Sequence, residues 1–204
     1  MVTLKDQPKG KNHEKYAMKC INLSEFYNRR AEENTKFEKF FLQKLEHPFL
    51  TKLRYAFKDS SRAYLVMECG VGGPVDSMLA FKTSDTLKKH SRAMKFKNLG
   101  ESGVSFLAAN VVLGIEELHR HNIMYRDLKP ENVILFEDGY AKLTDFGLSK
   151  LLMPTEVTNT EAGTVPYFAP EMVTRGYYTR AIDFWALGVF LFELATSESP
   201  FKPS

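Results

Sequence analysis

Cysteine is nearly absent from this chain of 204 residues, which contains only Cys20 and Cys69. Two thiols cannot build the disulfide framework that holds small secreted domains together. Each lies in an apolar, strand-like segment, so both are expected to be reduced and buried. Long apolar runs are missing too. The longest, "FWALGVFLF" from Phe184, falls well short of the roughly 20 residues that a membrane-spanning helix requires. The opening "MVTLKDQPKGKN" is polar and charged, unlike a signal peptide. Neither sign of charge dominates: 28 Lys and Arg stand against 25 Asp and Glu, and the resulting +3 argues against a nucleic-acid binder. Together these absences point to the cytoplasm, with the nucleus as the other compartment they allow.

What is present is enough for a real core: 44% of the residues are apolar. "KYAMKCI" (15–21) reads as a strand around one inward lysine, Lys19. From Glu33 to Glu46 the residues Phe37, Phe41, Leu42 and Leu45 recur at helical spacing, with Glu38 one turn before Leu42. "LTKLRYAF" and "AYLVMEC" predict a strand pair joined by the polar turn "KDSSR". "GVGGP" (70–74) punctuates the chain, and the pattern beyond it is mainly helical, which predicts a boundary between residues 1–70 and 71–204. Leu107, Val111, Ile115 and Leu118 predict an amphipathic helix. "NVILF" and "YAKLT" predict two short strands around the turn "EDG". Residues Ile182 to Leu194 are apolar almost all round, the mark of a buried helix. One segment, about 81–100, fits none of this. It holds Lys82, Lys88, Lys89, Arg92, Lys95 and Lys97 against the single acid Asp85, and it reads as a solvated basic insertion, with a basic amphipathic helix for calmodulin or an anionic surface as the alternative.

The chemistry is carried by "YRDLKPEN" (125–132), which packs Arg126, Asp127, Lys129 and Asn132 into eight residues. After one strand pair comes "DFG" (145–147), then "APE" (169–171) and "DFWALG" (183–188). Upstream stand Lys19 in "YAMK" and Glu38 on the first helix. Each motif alone is weak, but their order, spacing and setting match the signature set of protein kinases. The chain resembles the eukaryotic Ser/Thr protein kinases, Lys129 of "DLKPEN" being the Ser/Thr-type feature. "HPFL" (47–50), "YRD" and "GYAKLTDFG" look like the AGC group that includes the cyclic-nucleotide-dependent kinases. The resemblance covers nearly everything outside the basic insertion. It implies an α+β, bilobal fold: a small, mainly β N-lobe with one key helix, and a larger, mainly α C-lobe.

The resemblance also implies roles. Phosphoryl transfer is mostly positioning and electrostatic stabilisation, so charged groups must converge on the phosphates of MgATP. Asp145 suits Mg²⁺ because a hard cation wants carboxylate oxygen, and Asn132 would add a neutral oxygen. Asp127 would accept the substrate hydroxyl's proton, and Lys129 would neutralise the γ-phosphate. Lys19, held by Glu38, would pair with the α- and β-phosphates. Ala17 and Ile134 would sandwich the adenine with Val2 above, the backbone of Glu68 and Gly70 would hydrogen-bond its edge, and Met67 would stand behind as gatekeeper. Leu42, Leu53, Phe146 and Tyr125 match a hydrophobic stack between the lobes, and Asp183 would tie the catalytic loop to the buried helix. Thr160 matches the family's activating phosphothreonine, the target of an upstream kinase, and a phosphate there would face Arg126 and Lys150. Asn34 brings no positive charge to that phosphate. Thr164 matches a substrate-loop position, and Glu131 and Glu193 match acids that read basic residues beside the phosphoacceptor.

Three departures accompany the resemblance. No Gly-rich phosphate loop precedes Val2, the chain stops just beyond the apolar helix, and Pro74 replaces an acid at the lobe boundary, with Asp76 close enough to substitute. The expectation is therefore a kinase domain incomplete at both ends, poorly folding, with an apolar patch exposed around Phe190, Leu191 and Leu194. A catalytically incompetent module that binds a partner is the competing reading. A small-molecule kinase is disfavoured by "APE" and "GTVPYF" (163–168).

Overall fold

The computed structural model of the chain describes residues 1–3, 15–22, 38–41, 43–80 and 99–201. The basic segment up to residue 98, Asn34, Phe37 and Leu42 lie outside the described residues. β1 (Val2–Thr3), β2 (Lys15–Asn22), β3 (Leu53–Lys58) and β4 (Arg62–Glu68) form an antiparallel sheet in the order β1-β2-β4-β3. The β3–β4 turn is closed by one side chain. Asp59 accepts the backbone N–H groups of Ser61 and Arg62 at 2.7 Å each and the Tyr64 hydroxyl at 2.8 Å. Those donors, the Ser61 N–H first, pull the Asp59 carboxyl down to about 2. Helix α1, described at residues 38–41 and 43–44, ends short of the predicted Glu46.

Beyond Gly70 the chain makes the short strand β5 (Gly73–Pro74) and helix α2 (Asp76–Ala80), then the long helix α3 (Glu101–Arg120). In α3 the predicted residues Leu107, Val111, Ile115 and Leu118 are all buried. Full burial of such side chains contributes roughly 1.5–3 kcal/mol each. β6 (Ile123–Met124) follows, then β7 (Val133–Leu135), β8 (Ala141–Leu143) and β9 (Lys150–Leu151). β5, β7 and β8 form one sheet, and β6 pairs with β9. A Cβ on Gly114 would come within 3.1 Å of the Phe49 carbonyl and 3.0 Å of Leu143, so a larger residue there would push α3 off β8.

The segment leading into β3 is joined to β8 by backbone. Leu143 N–H donates to Phe49 O and Thr51 N–H to Leu143 O, both at 2.9 Å, and the Thr51 hydroxyl donates a second bond to the Leu143 carbonyl. One core runs through the junction, from Phe41, Leu65 and Met67 to Tyr125, Phe146, Leu143 and α3. In the predicted stack, Tyr125 and Phe146 lie 5.7 Å apart, and Leu53 packs partly buried against the same core.

Helices α4 (Pro170–Val173) and α5 (Ile182–Thr196) complete the fold, and α5 corrects the sequence reading. Phe190 and Leu194 are fully buried and Leu191 is partly so, while Phe184, Trp185 and Phe192 are exposed. The apolar patch therefore exists on a different face. Where nearly every position is apolar, hydrophobicity cannot tell which side meets α3. The cysteines need the same correction: Cys20 is exposed and Cys69 half-buried, both free. Alternation along β2 puts Cys20 on the face opposite Lys19. Among the described residues no helix is long and apolar enough to cross a membrane.

Candidate active site

Two clusters of charged side chains form where the first sheet meets β7 and β8. In the first, β2 presents Lys19, whose ammonium lies 2.8 and 3.0 Å from the two Glu38 oxygens and 2.8 Å from Asp145 Oδ1. Glu38 is almost wholly buried, and Asp145 keeps about half its exposure (2% against 47%), so one carboxylate serves as a fixed anchor and the other faces the opening. Burial works to lower the Lys19 pKa, but the charges of Glu38 and then Asp145 outweigh it, so the amine is held above its ordinary value. Burial lifts the Glu38 carboxyl against the pull of Lys19. Burial also works against the Asp145 carboxylate, but Lys19 prevails and holds that carboxyl below its usual range.

The second cluster is built by the turn at Pro130–Asn132 and the segment before it. Asn132 Nδ2 donates to both the carbonyl and the carboxylate of Asp127, each at 2.8 Å. Lys129 Nζ lies 3.1 Å from Asp127 Oδ2. Thr164 closes the group: its hydroxyl donates to Asp127 Oδ1 at 2.6 Å and accepts from Lys129 at 2.8 Å. Asp183 of α5 secures the loop from below, accepting Tyr125 N–H and Arg126 N–H at 2.9 Å each and contacting His119 Nε2 at 2.7 Å. Arg126 and Asp145 both adopt left-handed backbone (φ 69° and 56°), a strained conformation for residues with side chains.

The residues expected around adenine lie in two groups, one on the first sheet and one at the contact of Gly70 with Ile134. Val2 pairs with Tyr16, Ala17 lies opposite Met67, and Met67 is buried. A Cβ on Gly70 would fall 2.3 Å from Ile134 Cγ2, so this segment rests directly on Ile134. With the Asn132 amide nitrogen committed to Asp127, the amide oxygen is what it has to offer a cation, and the Asp145 carboxylate is half-exposed. One carboxylate and one neutral oxygen suit a divalent cation that completes its shell with phosphate oxygens. Among the described residues no group of three or more His, Cys, Asp or Glu forms a metal cluster by itself.

Around Thr160 the contacts differ in detail from expectation. Lys150 Nζ donates to Thr158 Oγ1 at 2.6 Å and only distantly to Thr160 Oγ1, at 3.4 Å. The Tyr178 hydroxyl donates to the Thr160 carbonyl. Arg126 spends its Nε on the Leu148 carbonyl at 2.6 Å, and its Nη1 is buried without a partner. Glu131 is exposed, and Glu193 Oε2 accepts the Tyr167 hydroxyl at 2.5 Å. Thr158, Tyr167 and Tyr178 were not anticipated. Nothing in their local pattern sets them apart: Tyr167 and Tyr178 act through Glu193 and Thr160, distant in sequence, and Thr158 through Lys150 of β9. A cavity of about 260 Å³ lined by Glu161, Phe168, Met172 and Arg175 lies behind this segment and includes none of the residues expected to hold nucleotide.

The chain is similar to well-known proteins over most of its length. Residues 6–204 match the family described as "Protein kinase domain". The chain is 39% identical over 186 residues to the cAMP-dependent protein kinase catalytic subunit of Dictyostelium discoideum, covering 91% of this chain and 26% of that protein. To ribosomal protein S6 kinase alpha-1 of Rattus norvegicus it is 39% identical over 188 residues, 92% of this chain and 24% of the relative. To the RAC family serine/threonine-protein kinase homolog of Dictyostelium discoideum it is 36% identical over 190 residues, 92% of this chain and 40% of the relative. The chain thus spans less than half the length of each of these relatives. With residues 6–204 matched to that family and relatives at 36–39% identity, the chain belongs to the protein kinase family.

Proposed function

We propose that this chain transfers the γ-phosphoryl group of MgATP to Ser or Thr hydroxyls of protein substrates, with residues 1–70 and 71–204 as the two lobes around the nucleotide. The observation that carries the reading is Lys19 held 2.8 Å from both Glu38 and Asp145. A cation fixed between a buried anchor and a half-exposed carboxylate is suited to phosphates that arrive with a metal ion. A protein kinase domain works with ATP and a divalent metal, and Mg²⁺ is the ion we assign to Asp145 and the Asn132 oxygen. When bound, it neutralises phosphate charge.

The remaining steps belong to the chain's own residues. Lys19 orients the α- and β-phosphates, and Ala17, Ile134, Met67 and Val2 exclude water from the adenine. Asp127 takes the proton from the substrate hydroxyl as that oxygen bonds to the γ-phosphorus, the bond to the β-phosphate oxygen breaks, and ADP leaves. Lys129 sits 3.1 Å from Asp127 and meets the charge of the moving phosphoryl group. Thr164, bonded to both, marks where a hydroxyl fits between them.

Basic substrates are favoured by the acids near this point. Glu193 accepts the Tyr167 hydroxyl, and burial followed by that carboxylate pushes the hydroxyl far above its ordinary value, with smaller pushes from Glu131 and Asp127. Thr160 is the site we assign to an upstream kinase, with Lys150 in reach and the unpartnered Arg126 Nη1 as the second donor. ATP-dependent phosphate transfer to a basic Ser/Thr peptide tests the reading. Transfer that disappears in Asp145→Asn is the expected outcome, and transfer undiminished in that variant overturns it.

A further inference from the structure

Glu68 does more than end β4. Its carboxylate turns back, and Oε1 accepts both the Lys52 backbone N–H and the Lys142 ammonium at 2.9 Å. The ion pair is largely shielded, with 17% of the Glu68 side chain and 13% of the Lys142 side chain exposed. That sets it apart from an open surface pair, whose contribution is usually small. Lys142 is itself fixed: its ammonium lies 4.3 Å from the centre of the Phe136 ring, and its backbone pairs in register with Ile134. A little further on, the connecting segment touches the same strand. Gly72 N–H donates to the Leu135 carbonyl at 3.1 Å, and a Cβ on Gly70 would lie 2.6 Å from that carbonyl.

The segment 68–72 is therefore held onto the β7–β8 pair at two points, through the Glu68–Lys142 ion pair and through the Gly70–Gly72 contact. We propose that Lys142 is a positioning residue for the nucleotide: by holding the Glu68 carboxylate it sets the backbone of 68–70 relative to Ile134, and with it the fit of the purine edge. This rests on the kinase reading above, in which that backbone and Ile134 form two walls of the adenine site. Lys142 spends its ammonium on Glu68 and the Phe136 ring, so its action on the nucleotide is indirect. The pair acts on purine binding and not on Asp127, which is held by separate contacts.

The test uses the whole chain, with MgATP and MgGTP as probes. Lys142→Met is expected to weaken ATP binding about five- to twentyfold, within the range of coupling between residues in contact. It is also expected to narrow the preference for ATP over GTP while changing kcat at saturating ATP less than about twofold. Lys142→Arg, which keeps a cation over Phe136 within reach of Glu68, is expected to restore the affinity. Lys142→Gln keeps a donor without the charge, and its ATP affinity is expected to fall between wild type and Lys142→Met. An ATP affinity unchanged in both Lys142→Met and Lys142→Gln overturns the inference. So does a loss of kcat that tracks thermal stability at constant affinity, which is what a merely structural role produces. Wild-type protein that binds no nucleotide removes the kinase reading itself, and this inference with it.

Discussion

Lys19 and Asp145 stand 126 positions apart in the chain and 2.8 Å apart in space. Lys19→Met is expected to abolish phosphate transfer and to leave Glu38 buried without its cation. Breaking such a pair costs about 3–5 kcal/mol when it is fully buried, and Lys19 retains 32% exposure, so a loss of about 1–3 kcal/mol is expected in urea denaturation. Adding Glu38→Gln should return part of that loss, because the stranded charge goes with it.

The same group sets a pH dependence. Lys19 is raised above the ordinary lysine value of 10.5, so its contribution is complete below that pH and lost as pH climbs through the folded value. Asp145 is lowered from 3.8, so its contribution is present above that pH and lost as pH falls through the folded value. Glu38, raised from 4.5, runs the other way and costs stability as pH rises through its own folded value. The stability gap between wild type and Lys19→Met should hold at neutral pH and narrow in strongly alkaline buffer. A gap that widens there refutes the assignment of the charges.

Asp127→Asn keeps the size of the side chain and removes the proton acceptor. kcat should fall at least ~10²-fold while the melting temperature stays near wild type. Single-turnover kinetics beside a thermal melt separates that outcome from unfolding.

Asp183 is 1% exposed and accepts the backbone N–H groups of Tyr125 and Arg126. Asp183→Ala leaves both donors buried and unpaired, at about 1–3 kcal/mol each. Loss of stability and of activity together is expected, read by denaturation and by transfer to peptide. Activity retained in a stable variant speaks against the anchoring role.

Phe190 and Phe192 stand two positions apart on α5 with opposite fates, the first fully buried and the second 46% exposed. Phe190→Ala should cost about 3–5 kcal/mol. Phe192→Gln with Phe184→Gln should leave stability within about 0.5 kcal/mol of wild type and raise solubility, because they lie on the exposed face. Solubility unchanged by both substitutions would show that face to be harmless.

The charge-bearing motifs were legible in the sequence because each is local. "YRDLKPEN" brings Asp127, Lys129 and Asn132 together within six residues, and α3 carries its buried stripe at helical spacing. Hydrophobic period and turn chemistry act over a few residues, so reading them needs no knowledge of the fold. The tertiary structure decided what depends on two distant segments arriving at one place. It chose which face of a uniformly apolar α5 meets α3, and it left Cys20 in solvent. It set Lys150 nearer to Thr158 than to Thr160, and it joined Tyr167 to Glu193 and Lys142 to Glu68. A charged side chain has the same local sequence whether its partner is present or absent. Only packing, which fixes both backbones within hydrogen-bond reach and removes water from between them, selects the partner.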